Sequence, residues 1–457
     1  MKSSPGSPTA SSTASGGSIA WSTTSPPSLP APSNGNNLYS SAGIFFASLI
    51  NPAGTAVKSA VTEPGGYGGV EHISNRSTLK TICTFSRSHF TIWRPVFFIL
   101  LLAPFGCEAE KPPLKIGFVG ELTGRYSDLG TAGRNGVILA VDEVNQAGGV
   151  NGRTVELITR DDRHDPERAV KMDEELIREG VAALIGHTTS TMAIAALPVI
   201  DREEILMISP TASSSRLTGK NDWFFRVCGD VTRTGGRLAE YAFHNSGVRR
   251  VTAVYDLDNP DYTQSYVEAF SSRFEELGGR VILAQGYDSG AEARFHRLAE
   301  QVAASLCDGV LIVGSALDTA MVCQQIRKLD LDVFLFSSGW GMTSEFLSNA
   351  GRAAEGVFFT WFFDWDSQSR SYVGFKEKFT ARFGKEPDFA ALFGYEAAGV
   401  LFDGLAETTD PKALRENILK HEKFKGLQGH FELDEYGDAR RPVFVITVTE
   451  SRFKTVE

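Results

Sequence analysis

Short apolar runs alternate with amphipathic stretches along the chain from Leu114 onward, and this alternation limits the possible folds more than any other feature. The run LKIGFVG (114–120) has the length and composition of a buried strand. The stretch at about 132–146 places apolar residues at helical spacing, and Gly148-Gly149 ends it. Strands that alternate with helices at this spacing favour right-handed crossover connections and a parallel sheet.

The pattern occurs twice and therefore predicts two α/β lobes rather than one very large sheet. The strands predicted after the first are at 153–162, 182–186, 205–208, 249–256, 280–285, 308–315, 332–338 and 355–363. The helices predicted between and after them are at 166–179, 190–201, 261–277, 292–305, 319–329, 369–383 and 389–406. A turn at Tyr436-Gly437-Asp438 then joins two further strands.

Composition excludes several classes of protein. The formal net charge of −10, without a basic stripe in the body of the sequence, argues against a nucleic-acid partner. Five cysteines without a CxxC pair or a Cys/His ligand spacing indicate neither a disulfide framework nor a metal site. Catalytic and phosphate-binding motifs are also absent from the sequence, so we expect a non-enzymatic protein without a cofactor.

The first hundred residues differ from the rest of the chain. Residues 1–78 form a low-complexity tail that begins with Ser, Gly, Pro, Thr and Asn, which is typical of disorder. Residues 79–107 combine basic residues, a short apolar run at 96–105 and Gly106-Cys107, which are the parts of a secretory signal. The run is too short to span a bilayer comfortably. We therefore predict a lipoprotein signal with acylation of Cys107, and hypothesise that the true start lies near Leu79. A conventional signal or an uncleaved anchor is the alternative.

Small polar residues follow three predicted strands of the first lobe. Asp161-Asp162 follow one strand, Thr188-Thr189-Ser190 follow the next, and the hydroxyl cluster at 209–215 follows the third. In open parallel sheets the ligand site lies outside the carboxyl ends of the strands, so these loops are expected to converge. Ser190 also begins a predicted helix, whose free N–H groups and dipole favour an anion.

Each of these residues has a purely structural alternative. A Ser or Thr between a strand and a helix is usually only a helix cap, and Asp161-Asp162 can be turn residues. His187, beside the hydroxyl cluster, is the one histidine with a plausible role at the site. The convergence of three loops, rather than any single residue, favours a binding site.

From about Leu114 to the C-terminus the sequence resembles the periplasmic leucine/isoleucine/valine-binding protein family, the type I solute-binding proteins of branched-chain amino-acid ABC transporters. The motifs that carry the resemblance are IGFVGELTGRYSDLGTAGRNGVILAVDEVNQAGGVNG, RDDRHDPERAV, IGHTTSTMAIAALPVIDREEILMISPTASSSRLT and the late GHFELDEYGD. The resemblance implies two doubly wound parallel-sheet lobes joined by a three-segment hinge. We place lobe 1 at 114–230 and 365–424, and lobe 2 at 231–364 and 425–457.

The family holds the ligand carboxylate with a serine at a helix start and with the loop after the next strand. The resemblance therefore implies ligand-binding roles for Ser190, Thr211 (through its backbone carbonyl) and Ser213, with Tyr262 covering the ligand from lobe 2. The remaining ligand-binding residues that it implies are Thr189, Leu129, Ala316 and Trp340.

The sequence departs from the family at three places. The acidic residue that pairs with a ligand amino group falls near Gly339, beside Trp340, and a second-lobe tyrosine falls on Ala316. The cysteines of an early disulfide fall near His164 and Thr189. An ammonium group without a carboxylate partner is costly to bury, so the ligand class stays open.

The open candidates are a branched-chain or other amino acid, a carboxylate with an apolar or aromatic body, and an amide. Asp256, Asp258 or Asp318 could supply the missing negative charge. We expect a monomeric receptor of the periplasm or cell envelope, attached to the membrane only through a lipid anchor, that delivers its ligand to an ABC permease. The alternatives are a ligand sensor of the same fold and an enzyme that uses His187 with Asp161 or Asp162.

Overall fold

The computed structural model describes residues 111–289, 295–408, 410–421 and 423–457. The predicted tail at 1–78, the predicted signal at 79–107 and Cys107 lie outside the described residues. Within that part the helices are α1 (Ser127–Gln146), α2 (Pro166–Arg178), α3 (Ser190–Glu203), α4 (Val231–His244), α5 (Pro260–Glu276), α6 (Phe295–Ser305), α7 (Ala316–Lys328), α8 (Ser344–Ala350), α9 (Arg370–Phe383), α10 (Phe389–Glu407) and α11 (Pro411–Lys420). The strands are β1 (Leu114–Gly120), β2 (Val155–Asp161), β3 (Leu184–Ile185), β4 (Met207–Ser209), β5 (Phe224–Arg226), β6 (Arg250–Asp256), β7 (Arg280–Tyr287), β8 (Gly309–Val313), β9 (Phe334–Ser338), β10 (Val357–Trp361), β11 (Phe424–Lys425), β12 (His430–Leu433), β13 (Ala439–Arg440), β14 (Phe444–Thr449) and β15 (Arg452–Thr455).

The first sheet is parallel throughout and has the order β2-β1-β3-β4-β5. Its central strand β1 is apolar because helices cover both faces, and Ile116 and Phe118 are completely buried. The strand order reverses between β1 and β3. The loops after these two strands therefore diverge to opposite faces of the sheet and leave a crevice between them.

The second sheet has the order β15-β14-β10-β9-β8-β6-β7. Strands β6 to β10 are parallel, whereas β14 runs antiparallel to β10 and β15 antiparallel to β14. Its order reverses between β6 and β8, which places a second crevice after those strands.

Three chain segments connect the two sheets: the one from β5 to α4, the one from β10 to α9, and the one from β13 to β14. Before the last segment, β11, β12 and β13 form a small antiparallel sheet. The turn of this small sheet contacts β5, where Arg226 Nε donates to Asp438 Oδ1 at 2.7 Å. Three connections between two α/β layers are the arrangement expected of a hinge.

Helix α10 packs closely on α1 because glycines lie at their contact. A Cβ atom at Gly136 would stand 1.9 Å from the carbonyl oxygen of Ala391, and one at Gly394 would stand 2.1 Å from that of Gly133. Helix α10 is long and apolar enough to cross a membrane by length and composition, but 72% of its most apolar window is buried in the protein. Helix α10 is therefore a helix of the protein core.

The predicted fold class, with two doubly wound α/β lobes, is confirmed by these sheets. Most predicted elements agree with the structure to within a few residues. Helix α1 begins at Ser127 rather than near residue 132, and β5, α4, α8, α11, β11 and β15 were not predicted. The residue boundaries of the two lobes stay a prediction.

Candidate functional site

A narrow cavity of about 20 Å³ lies where the loops of the first sheet face those of the second. The residues that line it from the first sheet and α1 are Leu129, Thr188, Thr189, Ser190 and Thr211. The residues that line it from the second sheet, α5 and the start of α10 are Asn259, Tyr262, Trp340, Trp361 and Phe389. Ligand pockets usually measure about 300–1,000 Å³, so this closed cavity has to widen before it can hold a solute.

The loops after β3 and β4 are fixed to each other by their own hydroxyl groups. Ser209 Oγ donates to the carbonyl of His187 at 2.7 Å, and Thr211 Oγ1 donates to that of Thr188 at 2.5 Å. The backbone N–H of Ser214 donates to Ser190 Oγ at 3.2 Å. The hydroxyl cluster therefore first serves to hold the loop that begins α3 in place.

The start of α3 faces the cavity with unused donors. Thr189 is the N-cap residue, yet its side chain makes no capping hydrogen bond to the helix. Asn259 Oδ1 accepts from the N–H of Thr191 at 3.2 Å. Ser190 Oγ accepts from Ser214, and within the described part of the chain its hydroxyl hydrogen has no acceptor. The positive end of the helix dipole together with the Ser190 O–H favours a negatively charged ligand.

Two further polar atoms of the lining, Thr188 Oγ1 and Trp361 Nε1, are buried without a hydrogen-bond partner among the described residues. The Trp361 N–H can only donate, and the Thr188 hydroxyl can donate as well. Tyr262 Oη lies beside the Ser338 hydroxyl and the N–H of Trp340. Burial raises the pKa of Tyr262 above its ordinary value, so its phenol keeps its proton. Unpaired buried donors are uncommon in folded proteins, and here they point to a ligand that accepts.

Aromatic rings form the apolar part of the wall. The ring of Tyr262 stands edge to face with Trp340 at 5.7 Å, and that of Trp361 stands edge to face with Phe389 at 5.5 Å. None of the ten lining residues carries a charge. Asp256, Asp258 and Asp318, the candidates for pairing with a ligand ammonium group, are not among them. The cavity thus combines neutral donors with an apolar body.

His187 lies behind the cavity in a fully buried ionic cluster. Its Nδ1 is 2.7 Å from Asp162 Oδ2, and its Nε2 is 3.1 Å from Asp173 Oδ2. Burial alone would lower the pKa of His187, but the two carboxylates outweigh it and raise the pKa to about 10. Both ring nitrogens are engaged and the side chain is 0% exposed, so His187 fixes the loop and is not placed to act as a base.

Asp161 has a structural place as well. Its carboxylate accepts from the N–H of Leu122 at 2.9 Å and from Thr123 Oγ1 at 2.6 Å, which joins the loops after β1 and β2. His164 and Thr189, at the positions of the family's early disulfide, are hydrogen-bonded at 3.3 Å between Nδ1 and Oγ1. In the described part of the chain Cys228, Cys307 and Cys323 carry free thiols.

Six of the eight residues predicted to bind ligand line the cavity, namely Ser190, Thr211, Thr189, Leu129, Tyr262 and Trp340. The other two do not. Ser213 is buried with its hydroxyl unpaired among the described residues, and its carbonyl accepts from the N–H of Val231 at 2.9 Å. Ala316 is the first residue of α7, which Ser315 caps. That these residues bind ligand stays a prediction.

Besides Thr188, which was expected only as part of the polar loop after β3, three lining residues were missed as ligand contacts. Asn259 precedes Pro260 at the start of α5, directly after a strand, and this position could have revealed it. Trp361 ends β10 and was assigned to the core. Phe389 begins α10, far along the chain, and no local pattern distinguishes it from a core aromatic residue.

A larger surface groove between α4 and α5 is a weaker candidate. It is open to solvent, and its Arg and Glu side chains pair with each other, as Arg273 Nη2 does with Glu240 Oε1 at 2.8 Å. The cavity between the lobes, with its unpaired donors, is the better site.

Comparison with known proteins agrees with this architecture. The family model described as periplasmic binding protein matches residues 113–452. A Leucine-, isoleucine-, valine-, threonine-, and alanine-binding protein of Pseudomonas aeruginosa is 25% identical over 73% of this chain and 89% of its own length. The Leu/Ile/Val-binding protein of Escherichia coli (strain K12) is 26% identical over 74% of this chain and 90% of its own length.

Solved structures give the same result. A leucine binding protein from Thermotoga maritima superposes with a TM-score of 0.70 and 25% identity, covering 75% of this chain and 98% of its own. A solute binding protein from R. palustris, solved with benzoate, superposes with a TM-score of 0.69 and 21% identity over 75% and 95% of the two chains. The matching model covers well over half of the sequence, and we conclude that the chain belongs to the periplasmic binding protein family.

Proposed function

We propose that this protein captures a small carboxylate-bearing solute between its two lobes outside the cytoplasm and delivers it to an ABC permease. The observation that carries the proposal is a set of buried donors among the residues that line one cavity. Thr188 Oγ1 and the Trp361 N–H have no partner among the described residues, the Ser190 hydroxyl is engaged there only as an acceptor, and no lining residue is charged. A carboxylate is the common ligand group that satisfies several donors at once.

The strength of binding follows from these donors. A hydrogen bond to a charged group contributes about 1.5–3 kcal/mol net. Three or four such bonds, with burial of an apolar body against the aromatic wall, are enough for micromolar affinity, which corresponds to about 8 kcal/mol.

Closure of the lobes accounts for capture. In the present conformation the lobes touch across the cleft: Asn259 Oδ1 accepts from Thr191 N at 3.2 Å, and Thr343 Oγ1 donates to Asp128 Oδ2 at 2.9 Å. Opening at the three connecting segments would break these bonds and expose the donors to water. A ligand that binds only the closed form shifts the equilibrium toward it, and that form is the one a permease would receive.

The location follows from the same reasoning. The family is extracytoplasmic, and the apolar run before Cys107 supports export of the chain. Acylation of Cys107 would then hold the monomeric protein at the membrane through its lipid. Cys107→Ala should move the protein from the membrane fraction to the soluble fraction of the producing cells. Retention in the membrane fraction would contradict lipid anchoring.

The binding proposal is tested by a thermal-shift panel on the exported chain. The compounds are leucine, isoleucine, valine, phenylalanine, 4-methylpentanoate, benzoate, 3-phenylpropanoate and the amide of each acid. At least one carboxylate should raise the melting temperature by mass action, and its amide should raise it less. A panel in which no carboxylate changes the melting temperature would contradict the proposal.

A further inference from the structure

An acidic pocket lies at the carboxyl ends of the strands of the second sheet. Asp256 ends β6, Asp258 follows it, and Asp318 lies in the first turn of α7. Asp256 and Asp318 are 0% exposed, and burial is the main cause that raises the pKa of each. These carboxyl groups are the ones on the second lobe that could receive a ligand ammonium group.

Residues of the first lobe already fill that pocket. Tyr126 Oη donates to Asp256 Oδ2 at 2.7 Å and lies 2.7 Å from Ser289 Oγ. The Ser289 hydroxyl lies 2.9 Å from Asp258 Oδ2. The guanidinium of Arg125 forms an ion pair with Asp318. Each acid is thus engaged by a donor of the protein itself.

The ring of Tyr126 also packs against the wall of the cavity. It is 2% exposed and lies 5.0 Å from the ring of Trp340, a residue of that wall. Trp340 in turn contacts Tyr262, which also lines the cavity, and none of the three acids is among the lining residues. An ammonium group in the cavity would therefore meet aromatic rings and hydrogen-bond donors instead of a carboxylate.

This arrangement should favour acids without an ammonium group over amino acids. Burying an ammonium group without a carboxylate partner is costly, and the Trp361 N–H, which can only donate, gives it no acceptor. A carboxylate with an apolar body meets no such cost. We propose that the ligand is a small aryl or branched alkyl acid without an ammonium group, and that Arg125 and Tyr126 determine this selectivity by filling the acidic pocket. This inference rests on the proposed function.

The test compares acids that differ only in the α-amino group. Titration calorimetry of the exported chain measures leucine against 4-methylpentanoate, and phenylalanine against 3-phenylpropanoate. In at least one pair the amine-free acid should bind at least about tenfold more tightly, and in neither pair should the amino acid bind as tightly. Equal or tighter binding of an amino acid overturns the inference and leaves the proposed function standing. If no acid of the wider panel binds, the proposed function fails together with it.

Variants of Tyr126 test the residue assignment. Tyr126→Ala should open the path to Asp256 and reduce the preference for the amine-free acid by at least about threefold. Tyr126→Phe keeps the ring and should keep the preference. Tyr126→Leu is measured alongside as a truncation that retains apolar packing if the alanine variant does not fold. A preference that survives truncation, or that Tyr126→Phe abolishes, overturns the role of the ring.

Discussion

Replacement of Thr188 by valine should separate ligand binding from folding. Thr188 is 2% exposed, and its hydroxyl has no hydrogen-bond partner among the described residues. An unpaired buried hydroxyl costs about 1–3 kcal/mol, so the isosteric valine should leave the free energy of unfolding of the ligand-free protein unchanged or higher. With a carboxylate ligand the variant loses one charge-assisted hydrogen bond of about 1.5–3 kcal/mol, which weakens binding about 10- to 150-fold.

The assay is urea unfolding of the ligand-free protein, followed by calorimetric titration with the acid that gives the largest thermal shift. Thr211→Val is the matched control, because its hydroxyl donates to the carbonyl of Thr188 at 2.5 Å. This control should lower the free energy of unfolding by about 1 kcal/mol or more. The reasoning is refuted if Thr188→Val destabilises the ligand-free protein as the control does and binds the acid as the wild type does.

Four other substitutions probe the scaffold. Burial raises the pKa of Glu121 to about 8, so the folded state keeps a proton that the unfolded state releases above its ordinary pKa of 4.5. The free energy of unfolding should therefore fall as the pH rises from 4.5 to 8, by at most about 5 kcal/mol. Glu121→Gln should flatten this decline in urea titrations. An unchanged pH profile of the variant would count against a buried, protonated Glu121. His187→Asn leaves Asp162 and Asp173 facing each other without a cation and should lower the free energy of unfolding by about 3–5 kcal/mol in urea titrations. A loss below about 1 kcal/mol would contradict the ionic cluster. Gly136→Ala should strongly destabilise the protein, because the added Cβ clashes with the Ala391 carbonyl. Gly374→Ala, whose Cβ would have nothing within 4 Å, should stabilise α9 by about 1 kcal/mol. Similar effects of the two variants would be inconsistent with the packing of α1 on α10.

The fold was predictable because apolar periodicity is a local property of the sequence. Strand β1 was predicted with its observed bounds, and Pro166 was correctly placed at the start of α2. Short elements escaped detection, since β5 has only three residues and no periodicity to measure. The start of α1 at Ser127 depends on packing between the lobes, where Asp128 accepts from Thr343, and the local sequence does not encode that contact.

Part of the site was predictable because ligands bind at the carboxyl ends of the strands in open parallel sheets. The loops after β3 and β4 were expected to converge, and Ser190 and Thr211 do line one cavity. Ser213 was assigned through the resemblance but lies outside the lining, whereas Thr211, two residues earlier in the same loop, lies in it. The filling of the acidic pocket by Arg125 joins residues 193 positions apart, a contact that single-sequence reasoning could not place.

A crystal structure with the acid that binds most tightly would show directly where the carboxylate is held. We expect the carboxylate to lie at the start of α3, within about 3.2 Å of Thr188 Oγ1 and of the hydroxyl or N–H of Ser190, with its apolar body against Trp340 and Trp361. A ligand bound outside this cavity would contradict the proposed site. So would one whose carboxylate faces the second lobe and leaves those donors unpaired.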